Sequence, residues 1–295
     1  MANWHIGVIG GSGLYDPGTL QDAQDIAVDS PFGEPSAPVT TGTLHGVKFT
    51  FLPRHGKGHV LSPSRVNYRA NIDVLKRCGV TDVLAISAIG SLRESFAPGH
   101  FVVVDQIIDR TTGRERSFFG EGIVAHVPLA DPVCPALTDR ALKAARKAGA
   151  TVHEEGIYVA IEGPQFSTRA ESHLYRDWGA SVIGMTAMPE ARLAREAELP
   201  YALLGMVTDY DCWRDGEGDV DVADILRVMK ANGEMARSVL SELARALPKT
   251  RKASPIDAIL DVAIVTPPEH WNLPARARLD AVAGRLMNPI TSPSV

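Results

Sequence analysis

The sequence predicts an α/β fold: a single three-layer domain in which a central mixed, largely parallel β-sheet is flanked by helices. Three observations predict it. Short β-rich runs recur along the chain, helical patterns ending on glycine fall between several of them, and 295 residues with 45% hydrophobic content supply ample core for one large α/β domain or two smaller ones.

Taken in order, IGVI near residue 6 is the first strand and runs into a glycine-rich turn. VKFTFLP at 47–53 is the next, and NYRANIDVLKRCG is a helix that Gly79 ends as a C-cap would. The runs DVLAIS at 82–87 and HFVVVDQI at 100–107 read as strands, and ALTDRALKAARKAG as a helix closed by Gly149. IYVAIEG at 157–163 precedes a helix, STRAESHLYRDWG, that opens on hydroxyls and ends on Gly179. SVIGM at 181–185 and YALLGMVTD at 201–209 complete the strands.

The longest helix is expected from about Val222 to Leu247, because Val222, Ile225, Leu226, Met229, Val239, Leu240, Leu243 and Leu247 line one face at helical spacing. PKTRKASP then breaks the pattern, as a linker or as a solvated loop of the same domain. The final PPEHWNLPARARLDAVAGRLM reads as a short amphipathic helix in an appendage, which divides the chain into a domain at 1–265 and an extension at 266–295.

Composition excludes several classes of function. A formal charge of -5 with acids and bases interspersed leaves no basic footprint for nucleic acid and no polybasic run for a membrane surface. The partner expected is a small molecule. Cys78, Cys134 and Cys212 lie far apart with no C-x-x-C pair, which suggests neither a zinc site nor a disulfide framework and fits a reducing compartment. The start MANWHIGVIGG lacks a basic n-region and a cleavable apolar core, and no apolar run reaches the roughly 18 residues of a spanning helix. A cytoplasmic chain is expected, and the residues suggest no metal site.

Polar clusters stand where the predicted strands end, which is where open α/β sheets place their ligands. In HIGVIGGSGLYDP, Asp16 occupies the place of the third glycine of a dinucleotide loop, and Leu14 and Tyr15 follow Gly13 where a triphosphate loop needs Lys and Ser or Thr. What remains is a sharp turn carrying the hydroxyl of Ser12 and several backbone N–H groups: an anion cradle, or a turn that only needs positive φ. In PRHGKGH, Arg54 and His55 offer a planar fork and a further donor to phosphate oxygens, or else form a solvated turn. AISAIGSL ends a strand on Ser87 with small Ala88 and Gly90 behind it, which admits a ligand to the backbone or makes a packed corner. GMTAMPE brings Met185 and Thr186. In VTDYDCW, Asp209 and Asp211 share one side of an extended chain; desolvation or mutual repulsion would raise one pKa enough for proton donation, and capping of a following helix is the alternative.

These clusters together carry a resemblance. IGGSGL, PFGEPS, RHGKGHVLSPSRVNYRAN, SAIGSLRE, DQIIDRTTGRERSFF, IEGPQFSTRAES, GMTAMPEARLARE and TDYDCW, in this order over roughly residues 5–265, resemble the methylthioadenosine branch of the purine nucleoside phosphorylases. The resemblance implies phosphorolysis of 5′-methylthioadenosine, with inorganic phosphate as co-substrate and no cofactor. Phosphate would be held by Ser12, Arg54, His55, Ser87, the backbone beside Ala88, and Thr186; Ser12 stands where many relatives carry threonine. Asp209 would share a proton with purine N7, and Asp211 would accept from the 6-amino group, with Tyr210 between them. Met185 would lie along the ribose, while Phe166 and Ser167 would line the base and influence purine choice. Val222 and Ile225 would face the methylthio group, with core packing of an amphipathic helix as the alternative. His59 and His126 are candidates at the 5′ side, the latter reached from a neighbouring subunit, and either fits a structural histidine as well. Homotrimers, or hexamers built from them, are implied too.

Overall fold

The computed structural model describes residues 3–11, 20–214 and 222–287, with residues 222–225 described by their backbone alone. The strands are His5–Gly10 (β1), Gln21–Ile26 (β2), Val39–Leu44 (β3), Val47–Pro53 (β4), Asp82–Ser91 (β5), Phe101–Val103 (β6), Gln106–Asp109 (β7), Val152–His153 (β8), Ile157–Ala160 (β9), Val182–Gly184 (β10) and Tyr201–Asp209 (β11). The helices are Tyr68–Arg77 (α1), Pro135–Lys147 (α2), Arg169–Asp177 (α3), Ala187–Glu196 (α4), Val222–Ala246 (α5), Leu273–Arg278 (α6) and Gly284–Met287 (α7).

Alternate residues of the central strands feed two different cores, as a period of two requires. Ile9, Val83, Ala85, Tyr201, Leu203 and Val207 pack with Ile72 and Leu75 of α1 and Ala191 and Leu193 of α4. Ile6, Val8, Leu84, Ile86, Ala202 and Leu204 pack instead with Leu137 and Ala141 of α2 and Val239, Leu240 and Leu243 of α5. The sheet is therefore the middle of three layers. Its helices start on local signals: the Asn67 side chain accepts from the Ala70 N–H at the head of α1, Pro135 opens α2, and Thr168 with Glu171 forms a capping box on α3.

The strand order is β2-β3-β4-β1-β5-β10-β9-β7, with β11 on β5 and then β6 and β8 beyond it. The β1–β4, β1–β5, β5–β11, β6–β8, β7–β9 and β9–β10 pairs are parallel, and β2–β3, β3–β4, β5–β10 and β6–β11 antiparallel. The sheet is mixed and largely parallel. β11 follows one edge of β5 from Val83 to Gly90, so β1 and β10 must share the other edge. There β1 pairs only as far as Ala85, and β10 begins at Gly90. Ile86 to Ile89 are left uncovered on that side.

Three strands, β2, β3 and the two-residue β8, carry no signal that the sequence reading used. QDAQDI is exposed at every residue and lies at the outside of the sheet, so it needs no apolar alternation. HFVVVDQI divides into β6 and β7, which leave for different neighbours. In the stretch read as linker or loop, Arg251 is buried and pairs with Asp82 and Asp257, which ties it to the first residue of β5. Ala275, Leu279, Val282, Ala283 and Met287 lie in the same core as α1 and α4.

Candidate active site

A cavity of about 730 Å³ opens against the uncovered edge of β5. Arg54 and His55 reach it from the end of β4, Ser87 and Ala88 from β5, Met185 and Thr186 from the turn between β10 and α4, Phe166 and Ser167 from the segment before α3, and Asp209 and Asp211 from the end of β11. His59 lines it as well, stacked on His55 with ring centroids 4.3 Å apart. Gly11 also reaches it, whereas Ser12 lies outside the described residues, as do the side chains of Val222 and Ile225. Tyr210 does not line it: its ring packs edge-on against Trp213 and its hydroxyl donates to the Glu94 carbonyl. His126 is not among the lining residues; its backbone N–H bonds the Ala263 carbonyl.

One end of the cavity is cationic and fully braced. Arg54 is buried, its Nε and one Nη2 hydrogen donate to the two oxygens of Glu190 at 2.7 and 3.0 Å, and longer bonds of 3.4 Å reach the Ile9 and Ile86 carbonyls. Those four bonds leave one of the five guanidinium N–H groups, on Nη1, for a ligand. Burial opposes the charge, but Glu190 outweighs it and holds the guanidinium above its ordinary range. The Ser87 and Thr186 hydroxyls meet at 3.2 Å, and Thr186 makes no cap bond to α4, so both hydroxyls stay in the cavity wall. Arg114 donates to the Met185 and Met188 carbonyls at 2.6 and 2.7 Å and so pins that turn.

His55 departs from the expectation of a further donor. Its Nδ1 lies 2.9 Å from the Leu61 carbonyl, which only accepts, so Nδ1 carries the proton. Burial, then the charge of Arg54, pushes the ring down to about 4. The neutral ring therefore keeps Nε2 as an acceptor.

The other end is acidic and sits on a break in the ladder. β11 matches Val207 to Ile89 but Asp209 to Gly90, which makes Thr208 the extra residue of a β-bulge. Neighbouring strand residues normally point to opposite faces; here Thr208 and Asp209 both line the cavity. Asp211 follows at a φ of 52°, and its carboxylate accepts from Ser167 at 3.0 and 2.8 Å and from the buried Ser172. Burial raises the pKa of Asp209, against hydrogen bonds from Thr208 and the Asp211 N–H, and the Asp211 charge adds to the rise. Gly90 is required beneath this pair: a Cβ there would stand 2.9 Å from Ile183 and 3.0 Å from Asp209 Oδ1.

Sequence reasoning missed Glu190, Arg114 and Thr208, whereas Gly90 was named there as a small residue of the strand-end corner. Glu190 lies within the GMTAMPE run but 136 residues from Arg54, and no local pattern joins them. Leu226 and Met229 of α5, which line the cavity, were legible as part of the apolar stripe. Among the described residues no group of three or more His, Cys, Asp or Glu converges as metal ligands, and no helix is long and apolar enough to cross a membrane.

Comparison with known proteins places this geometry among relatives. Residues 5–245 match the Phosphorylase superfamily. An S-methyl-5′-thioadenosine phosphorylase of Cereibacter sphaeroides is 54% identical over 96% of this chain and 98% of its own, and one of Bradyrhizobium diazoefficiens is 52% identical over the same shares. The crystal structure of a methylthioadenosine phosphorylase from an Antarctic soil metagenomic library superposes with a TM-score of 0.90 at 44% identity, covering 95% of this chain and 99% of that one. The Schistosoma mansoni methylthioadenosine phosphorylase in complex with adenine superposes with a TM-score of 0.79 at 40% identity over 82% and 91% of the two chains.

Proposed function

The chain belongs to the phosphorylase superfamily, and on that premise we propose that it catalyses phosphorolysis of 5′-methylthioadenosine to adenine and 5-methylthioribose 1-phosphate. One observation carries this reading: a single cavity joins a braced arginine and two hydroxyls at one end to a pair of carboxyls at the other. Ser87 and Gly90, which mark those ends on β5, are three residues apart, or about 10 Å along a strand. That span accommodates a ribose between a phosphate and a purine.

In this reading the free N–H of Arg54, the hydroxyls of Ser87 and Thr186, the backbone beside Ala88, and Ser12 hold phosphate. His55 Nε2 accepts a P–OH, so the subsite binds a hydrogen phosphate. As the N-glycosidic bond lengthens, positive charge at C1′ is stabilised by the phosphate that attacks it. Protonated Asp209 gives N7 its proton, so that adenine leaves neutral; such help is worth roughly 10²–10⁴-fold. Asp211, held by Ser167 and Ser172, accepts from the 6-amino group and is mismatched to a 6-oxo group. Met185 lies along the ribose and Phe166 against the base. Leu226 and Met229, continued by Val222 and Ile225, supply an apolar wall for the methylthio group.

The reading extends to the rest of the molecule. The catalytic unit is residues 1–265, residues 266–295 are an extension of it, copies associate as trimers or hexamers, and the enzyme works in the cytoplasm on phosphate without a cofactor. Exposed Phe166 and Leu226 at the cavity lining are apolar surfaces that a neighbouring copy would cover. The test is phosphate-dependent release of free base from methylthioadenosine, adenosine and methylthioinosine. The expected kcat/KM is highest for methylthioadenosine; preference for the inosine compound would overturn the role of Asp211, and absence of phosphorolysis the whole reading.

A further inference from the structure

We propose that Thr208 is a positioning residue for the acid Asp209: its hydroxyl holds the carboxyl oxygen that carries the proton, and reverses its own hydrogen bond when that proton leaves. The inference rests on the phosphorolysis reading for its catalytic consequence and on geometry for the rest. Asp209 Oδ1 accepts the Asp211 N–H at 2.8 Å, and an amide N–H has no other role to play, so the acidic proton belongs on Oδ2. Oδ2 lies 2.6 Å from Thr208 Oγ1, and that hydroxyl lies 3.2 Å from the Ile89 carbonyl, which only accepts. Two arrangements satisfy every group. With Asp209 protonated, Oδ2–H donates to Thr208 and Thr208 donates to Ile89; with Asp209 ionised, Thr208 turns and donates to Oδ2.

Proton transfer to the base starts when the Oδ2–H turns from Thr208 toward N7 and ends in the second arrangement. The Oδ2–H bond breaks, the N7–H bond forms, and the hydroxyl hydrogen of Thr208 moves from the Ile89 carbonyl to the new carboxylate. Thr208 thus stabilises the charged product of the step, and the bulge is what brings it there: in a regular ladder residue 208 would face away from residue 209. The other ionisable groups lining the cavity are Asp211, on the same loop, and Arg54, His55 and His59, on and after β4; none of their side chains bonds the Asp209 carboxyl among the described residues. On β5, Gly90 lies beneath the carboxyl, and Thr208 links it to the Ile89 carbonyl.

The decisive comparison is Thr208→Val, which keeps the shape and removes the hydroxyl, with Thr208→Ser, which keeps the hydroxyl. The Asp209 carboxyl is titrated by ¹³C NMR in the ligand-free protein, its resonance assigned by loss in Asp209→Asn, and kcat/KM for methylthioadenosine is followed against pH. In the Val variant the Asp209 midpoint is expected to rise by about one to two units, and kcat/KM at neutral pH to fall roughly ten- to a hundredfold while its alkaline limb moves up with the midpoint. The Ser variant is expected to follow the wild type in both. An unmoved midpoint in the Val variant overturns the proposal even where the rate falls, since packing alone would lower rate without shifting the limb. The titration decides the point independently of turnover: a protein without phosphorolysis but with a shifted midpoint refutes the reaction and keeps Thr208 as the partner of Asp209. Thr208→Ala makes the same titration if the Val variant does not fold.

Discussion

The two ends of the cavity treat buried charge in opposite ways. At one end Arg54 enters the fold already neutralised, with both oxygens of Glu190 on its fork and Tyr201 donating to the same carboxylate at 2.9 Å. At the other end Asp209 and Asp211 lie together with hydroxyls and an amide but no cation bonded to them among the described residues. The difference is that the buried arginine is given a counter-ion and keeps its charge, while the buried Asp209 is given none, and burial raises its pKa.

Breaking the braced end has the largest expected effect. Arg54→Ala leaves Glu190 buried with only Tyr201, and unfolding in urea is expected to show a loss of about 3–5 kcal/mol as well as loss of phosphate-dependent turnover. The double variant Arg54→Met/Glu190→Leu is expected to recover most of that stability and none of the turnover. Asp209→Asn tests the opposite end: kcat/KM falls roughly 10²–10⁴-fold with thermal stability unchanged or higher, because a burial cost is removed along with the acid.

Glu196 sharpens the comparison from outside the cavity. It is buried, and desolvation pushes it up to about 7 against hydrogen bonds from the Phe118 N–H and the Ser117 hydroxyl. Its folded pKa exceeds its ordinary value of 4.5, so between those values the folded chain holds a proton that the unfolded chain has lost. Its contribution is full below pH 4.5 and is lost as pH rises through about 7. Glu196→Gln is expected to remove a decline on the order of 3 kcal/mol across that window, read as flattening of the denaturation midpoint against pH. Ser172→Ala has the smallest effect: Asp211 loses one donor, and KM for the nucleoside rises about three- to tenfold while KM for phosphate stays put.

How far these ends were legible in the sequence follows from how each is built. Arg54, His55, Ser87, Thr186 and Asp209 stand at the ends of apolar runs, and a run with its terminal polar residue is a local pattern. The family resemblance set Tyr210 between its two acids, yet the positive φ at Asp211 and the ring contact with Trp213 take its side chain elsewhere. Glu190 is an acid on a helix until the fold carries it to Arg54, and Thr208 is a strand residue until β5 fixes a register one residue short of β11.

The chain alone determined the alternation of strands and helices, the helix ends, the apolar stripe of α5 and the polar residues offered at the strand ends. These depend on contacts within a few residues, where side-chain period and backbone preference act directly. Only the tertiary structure decided the gap on β5 between β1 and β10, the bulge that turns Thr208 and Asp209 to one side, and the counter-ion of Arg54. Each of those is set by pairing between segments far apart in sequence, where the register of one strand against another, rather than any local preference, fixes which groups meet.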